Sequence, residues 1–241
     1  MTQHLNALGQ PVGSPLSGWM PPILPSHERM EGRFCRLEPL QAERHAEALF
    51  AANASETDGR SWTYLPYGPF TSLADYRAWM EQATKGTDPL FFAIIDQADQ
   101  QPVGVAAYLR IAPTSGAIEV GHLHFSQAMK QTPVATEAMY LMMERAFALG
   151  YRRYEWKCDV LNAASRAAAE RLGFRFEGIF RQATVYKQRS RDTAWFSIID
   201  KEWLALQGVL QQWLAPGNFD ANGRQLTRLS DLTRALPAAS A

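Results

Sequence analysis

The chain has 241 residues, with 24 Lys+Arg balanced by 24 Asp+Glu, 46% hydrophobic residues and 20% charged ones. That length holds one domain with extensions, or at most two, and the absence of net charge excludes a basic field for nucleic acid or for a membrane surface. Two distant cysteines, Cys35 and Cys158, form neither a disulfide framework nor a metal-ligand pattern, so reduced thiols and no metal are expected.

Residues 1–30 contain Pro11, Pro15, Pro21, Pro22 and Pro25 and read as an extended arm. Its Trp19, Met20, Ile23 and Leu24 offer apolar surface to the domain or to a second copy in a homodimer. The first fifteen residues show no apolar signal region, and no apolar run reaches the roughly 18 residues of a membrane helix. A cytoplasmic chain is expected. Alternation predicts a first strand over 32–40, and helical spacing of Ala42, His45, Ala46, Leu49 and Phe50 predicts a helix over 41–53.

"SWTYLPYGPF" (61–70) reads as an aromatic loop. Trp62, Tyr64, Tyr67 and Phe70 form either the wall of an acceptor pocket or filler on the sheet. A helix follows over 72–86, capped by Ser72, then strands over 89–96, 101–112 and 117–126. "KQTPVATEA" (130–138) leads into a helix over 133–149 with Thr132 as cap and Pro133 at its first position. A strand over 152–160, a helix over 162–174, two long alternating strands and a helix over 201–214 complete the pattern, and the tail from Pro216 reads as polar loop.

The order β-α-α-β-β-β-α-β-α-β-β-α describes a mixed α/β sheet. Three consecutive strands form an antiparallel meander, and the β-α-β step over 117–158 makes one parallel pair by a right-handed crossover. Alternation along 117–126 places His122 and His124 on one face and Glu119 with Gly121 on the other.

"EVGHLHFSQAMKQTPVATEAMYLMMERAF" followed by "WKCDVLNAASRAAAERLGFRFEGIFRQ" resembles the GNAT (Gcn5-related) N-acetyltransferases, and within them the RimJ/RimL-like branch. The matching positions are Ala135–Ala138, then Asn162, Ser165, Glu170, Arg171, Leu172, Gly173 and Phe174, then Glu177, Gly178, Arg181 and Asp192, and the resemblance spans roughly residues 33–203. It implies an α/β (α+β) fold, a mostly antiparallel sheet with one splayed parallel pair and flanking helices. The domain would occupy 31–214, between the arm and a tail over 215–241.

The resemblance further implies that acetyl-CoA is the co-substrate and that an acetyl group passes directly to a primary amine, on a protein N-terminus or a small molecule. Its pantetheine would lie along the first splayed strand at His124 and Phe125. Its pyrophosphate would sit on Lys130 and on the amides of Val134, Ala135 and Thr136, where helix N-terminal donors and the macrodipole favour an anion. Pro133 departs from the family's glycine and removes one donor. Asn162 is a helix cap that, by resemblance, also binds pantetheine. Ser165 is either a plain helix serine or the acid for the leaving thiolate, because the tyrosine many members carry four residues later is Ala169 here. Glu119 and His122 are candidate bases. The missing tyrosine and Pro133 also motivate an alternative, a scaffold that binds acyl-CoA without catalysis.

Overall fold

The computed structural model describes residues 4–237. The arm opens with a small hairpin, β1 (His4–Leu5) and β2 (Pro11–Val12). It then runs extended to β3 (Met30–Glu31). Pro22 and Pro25 are buried, and Trp19 covers Gly116 and the Arg152 guanidinium, which lies 6.0 Å from its ring. Met20, Ile23 and Leu24 are exposed.

β4 (Cys35–Pro39), α1 (Ala42–Asn53) and α2 (Leu73–Ala83) precede a meander of β5 (Leu90–Asp96), β6 (Pro102–Ala112) and β7 (Ala117–Phe125). α3 (Pro133–Ala148) crosses to β8 (Arg153–Asp159). α4 (Ala163–Arg171), β9 (Arg175–Tyr186), β10 (Arg189–Ile199), α5 (Asp200–Leu214) and α6 (Leu229–Arg234) follow. Eight strands form one sheet in the order β3-β4-β5-β6-β7-β8-β10-β9, antiparallel at every step except β7–β8.

The sheet separates two apolar layers. On one face Phe92, Ile94, Tyr108, Ile118, Tyr154 and Phe196 pack against α3, α5 and their neighbours. On the other, Phe91, Ala93, Ile95, Val105 and Ala107 meet α1, α2 and the aromatic loop. β5 reads as an unbroken apolar run because both of its faces are covered.

The tail is not loop-like. A turn over 216–218 places Phe219 against Phe34 and Trp213, Asn218 Nδ2 donates to Trp213 O at 2.8 Å, and Leu229 of α6 is fully buried. Its few apolar residues are spread over a short helix of six residues, too little to show a period.

One polar contact fastens the sheet to α3. The buried Glu137 carboxylate accepts the amides of Arg33, Phe34 and Cys35 at 2.9, 2.6 and 2.8 Å. A Cβ on Gly32 would lie 2.5 Å from that carboxylate. Glu137→Ala strands three amides and is expected to lower the unfolding free energy by about 3 kcal/mol or more, read from urea denaturation. Gly32→Ala destabilises as well, and the double variant loses less than the sum because the clash disappears with the carboxylate.

Candidate active site

β7 and β8 pair from Ala117↔Arg153 only as far as Val120↔Trp156. Beyond that point β7 continues to Phe125 bonded to β6, and β8 continues to Asp159 bonded to β10. The two strands diverge, and among the described residues the β8-facing backbone of residues 121–125 has no strand partner. Between the pairs Ala107↔Gly121 and Val105↔His124, β7 carries one residue more than β6, a β-bulge with His122 at φ 52°. The gap opens into a cleft of about 190 Å³, lined by Glu119, His122, Lys157, Asn162, Ser165 and Arg191 among others.

The helix that follows the gap presents its N-terminus uncapped. Thr132 holds the cap position, but its Oγ1 donates back to Met129 O at 2.7 Å and makes no cap bond. Pro133 has no N–H, so Val134 and Ala135 carry the free helical amides. Thr136 is buried, and its Oγ1 accepts from Arg171 at 3.0 Å. Lys130 is not a free cation: its Nζ pairs with Glu56 Oε2 at 3.2 Å. Glu56 also accepts from Ser61 N and Gln127 Nε2, and although burial raises its carboxyl, Ser61 and Lys130 together hold it below its ordinary value. An anion on this loop must therefore share Lys130 with Glu56.

On the far wall, Asn162 Oδ1 caps α4 by accepting Ser165 N at 3.1 Å, which leaves its Nδ2 for the cleft. Trp156 Nε1 donates to Ser165 Oγ at 2.9 Å. An indole only donates, so the serine must accept and its own hydrogen stays available to a second acceptor. Cys158, beside it, is a buried thiol pushed up by desolvation.

The expected division of the β7 side chains between two faces is wrong. Glu119, Gly121 and His124 lie opposite Leu109, Ala107 and Val105, which share one face of β6. His122 Nδ1 lies 3.2 Å from Tyr67 Oη and its ring packs on Phe91, on that same face. The bulge inserts one residue and reverses the alternation, so Glu119, His122 and His124 face the same way. His124 is buried, stacked on Trp62 at 3.6 Å with Nε2 2.9 Å from Ser61 Oγ. Its imidazole points into the core, which leaves only the backbone of His124 and the half-buried Phe125 to meet a ligand in the gap. Burial depresses His122 and His124 to about 4, so both are neutral at physiological pH.

Three of the four loop aromatics also pack as core. Trp62, Tyr67 and Phe70 join Tyr76, Trp79 and Phe91 in edge-on and tilted contacts. Only Tyr64 lines the cleft, with its hydroxyl donating to Leu161 O at 3.1 Å. The sequence pattern does not tell an aromatic wall from an aromatic core, because both need the same residues.

Sequence reasoning missed a row of charges. Glu119 Oε1 meets Arg110 Nη1 at 2.6 Å, and its Oε2 meets Lys157 Nζ at 2.8 Å. Lys157 also holds Glu155 Oε2 at 2.7 Å and lies over the Trp195 ring at 3.8 Å. Arg153 continues the row to Glu177. Burial pushes the Glu119 carboxyl above its ordinary value, against both neighbouring cations. Glu119 is therefore a carboxylate of raised basicity on the wall of a cleft whose other wall offers a hydroxyl proton.

The site is thus a sheet split at one parallel pair, with the uncapped α3 following the strand that leaves the pair. A model of the Acetyltransferase (GNAT) domain matches residues 35–175. A GCN5-related N-acetyltransferase from Brucella melitensis is 47% identical, with TM-score 0.88, covering 91% of this chain and 100% of its own. A Chromobacterium violaceum protein described as a GNAT-family acetyltransferase is 42% identical, with TM-score 0.76, covering 81% of this chain and 98% of its own. A structure from T. thermophilus described as an acetyltransferase is 26% identical, with TM-score 0.72, covering 80% and 100%. No protein of curated function matches the sequence. The chain belongs to the GNAT acetyltransferase family.

The two depressed histidines make stability depend on acid. Between pH 6.5 and about 4 the unfolded chain binds more protons at these sites than the folded one, so stability falls as pH falls through that window and levels off below it. One such histidine contributes at most about 3 kcal/mol. His124→Gln is expected to flatten the pH dependence of urea-unfolding free energies over this range relative to the parent chain. An unchanged slope would show that His124 titrates normally.

Proposed function

We propose that this chain is an acetyl-CoA-dependent N-acetyltransferase of the RimJ/RimL-like branch, acting in the cytoplasm. It transfers the acetyl group directly to the primary amine of a protein N-terminus or a small molecule, in a ternary complex. The observation that carries the reading is the gap between β7 and β8, which is lined by Asn162 and Ser165 and whose first strand leads into the uncapped start of α3.

The residues fit acetyl-CoA. The amides of Val134 and Ala135, with the dipole of a 16-residue helix, suit a pyrophosphate, and Lys130 adds charge when released from Glu56. Asn162 Nδ2 and the free backbone of residues 121–125 suit the amides of the pantetheine arm. The bound thioester supplies a carbonyl carbon open to attack by an amine. A backbone amide of residues 122–125 stabilises the developing oxyanion. Glu119, through a water, takes the proton that the nitrogen gives up as the C–N bond forms. Ser165 donates its hydrogen to the sulfur as the C–S bond breaks. His122 is the weaker candidate base, because burial makes its imidazole a poor proton acceptor and Tyr67 holds one of its nitrogens.

Steady-state kinetics over a panel of amines tests this reading. Glu119→Gln is expected to lower kcat by about 100-fold or more, and Ser165→Ala by about tenfold or more, both with little change in the KM for acetyl-CoA. Asn162→Ala is expected to raise that KM. Full turnover in both Glu119→Gln and Ser165→Ala would overturn these roles. Tight acetyl-CoA binding with no turnover of any amine would identify an inactive acyl-CoA-binding scaffold instead.

A further inference from the structure

Lys157 is not one of the positions that carry the family likeness, yet it is the most constrained cation in the cleft. Its side chain is 9% exposed, against 61% for Arg110 on the other side of Glu119. Two carboxylates from neighbouring strands share its ammonium, Glu119 at 2.8 Å and Glu155 at 2.7 Å. The Trp195 ring closes its remaining side. The two carboxylates are themselves direct neighbours, since Glu119 pairs with Glu155 in the parallel ladder. Two acids placed side by side repel, and the one that ionises less readily takes the proton. Each has a second cation at 2.6 Å, but Arg153 beside Glu155 is far less exposed than Arg110 beside Glu119, and burial of Glu155 is outweighed by its bonds to Arg153 and Lys157, which hold its carboxyl below its ordinary value. Glu119 is the more buried of the two, so as pH falls it is the first of the pair to take a proton.

We propose that Lys157 and Glu155 act as an opposed pair that sets the proton affinity of Glu119, with Lys157 a positioning residue for the transfer step. The kinetic part of this rests on Glu119 as the proton acceptor, whereas the electrostatic part does not. The groups facing Glu119 are few. Arg110 comes from β6, and Lys157 and Glu155 from β8. His122 on its own strand is neutral. Asp88 sits behind Arg110, accepting its backbone amide at 2.9 Å. Asp159, farther along β8, is occupied by Leu161 N and the Tyr186 hydroxyl.

The two partners predict shifts of opposite sign, which a purely structural role does not. Carbon-13 NMR titration of the Glu119 side-chain carboxyl, assigned with Glu119→Gln, reads the effect directly. In Lys157→Met the carboxyl loses a cation and titrates higher than in the parent chain by about one pH unit or more. In Glu155→Gln it loses a neighbouring anion and titrates lower. Lys157→Arg keeps the charge and titrates near the parent value. Should Lys157→Met fail to fold, Glu155→Gln keeps every cation and tests the same point. Shifts of the same sign in Lys157→Met and Glu155→Gln, or none in either, overturn the proposal. The acidic limb of kcat/KM is expected to move with the NMR titration. If the carboxyl moves as expected and the limb does not, the pair sets Glu119 as proposed and Glu119 is not the proton acceptor.

Discussion

The whole site depends on a backbone constraint: β7 keeps only four residues in register with β8, Ala117 to Val120. A parallel pair could continue only if both strands kept the same twist and pleat. β7 does not, because the extra residue at His122 bends and twists it locally. The separation exposes backbone amides that a continuous sheet would have used. The chain then runs from Phe125 into the turn that starts α3, whose first amides, on Val134 and Ala135, are uncapped.

The same bulge assembles the chemistry. Without it His122 would face α3, and the surface beside Glu119 would be a different one. With it, one sheet face gathers a carboxylate, two neutral imidazoles and the charge row that crosses from Arg110 to Glu177. Burying such a row is expensive, and ion pairs of this kind rarely repay their desolvation as stability. Here the desolvation raises the basicity of Glu119, which is what a proton acceptor for an amine requires. The imidazoles are the contrasting case. His124 is stacked on Trp62 and His122 lies against Phe91, and burial among these aromatics keeps both imidazoles neutral.

The order of strands and helices from β4 to α5 was legible in the sequence, because those elements announce themselves by period. The α4 motif was legible too, with Asn162 and Ser165 on one wall of the cleft. The bulge was not, since alternation from residue 117 assumes that no residue is inserted and nothing in "EVGHLHF" marks the insertion. Lys157 was hidden for a related reason. In "RRYEWKCD" the charged positions alternate with apolar ones and read as a solvated face, whereas Arg153, Glu155 and Lys157 in fact pair with one another and with the neighbouring strands. Glu137 sat inside the recognisable "ATEA" yet showed no sign that it would fasten three amides a hundred residues away. Trp62 and Phe70 suit a pocket wall by residue type alone, which does not settle which side of the loop faces the cleft.

A crystal structure of the chain with CoA bound tests the central claim most directly. The pantetheine arm is predicted to lie in the gap along residues 121–125 of β7. Its pyrophosphate is predicted to rest on the amides of Val134 and Ala135, and its sulfur to point toward Ser165. CoA bound elsewhere, or β7 and β8 closed into a continuous pair in the complex, would contradict the account.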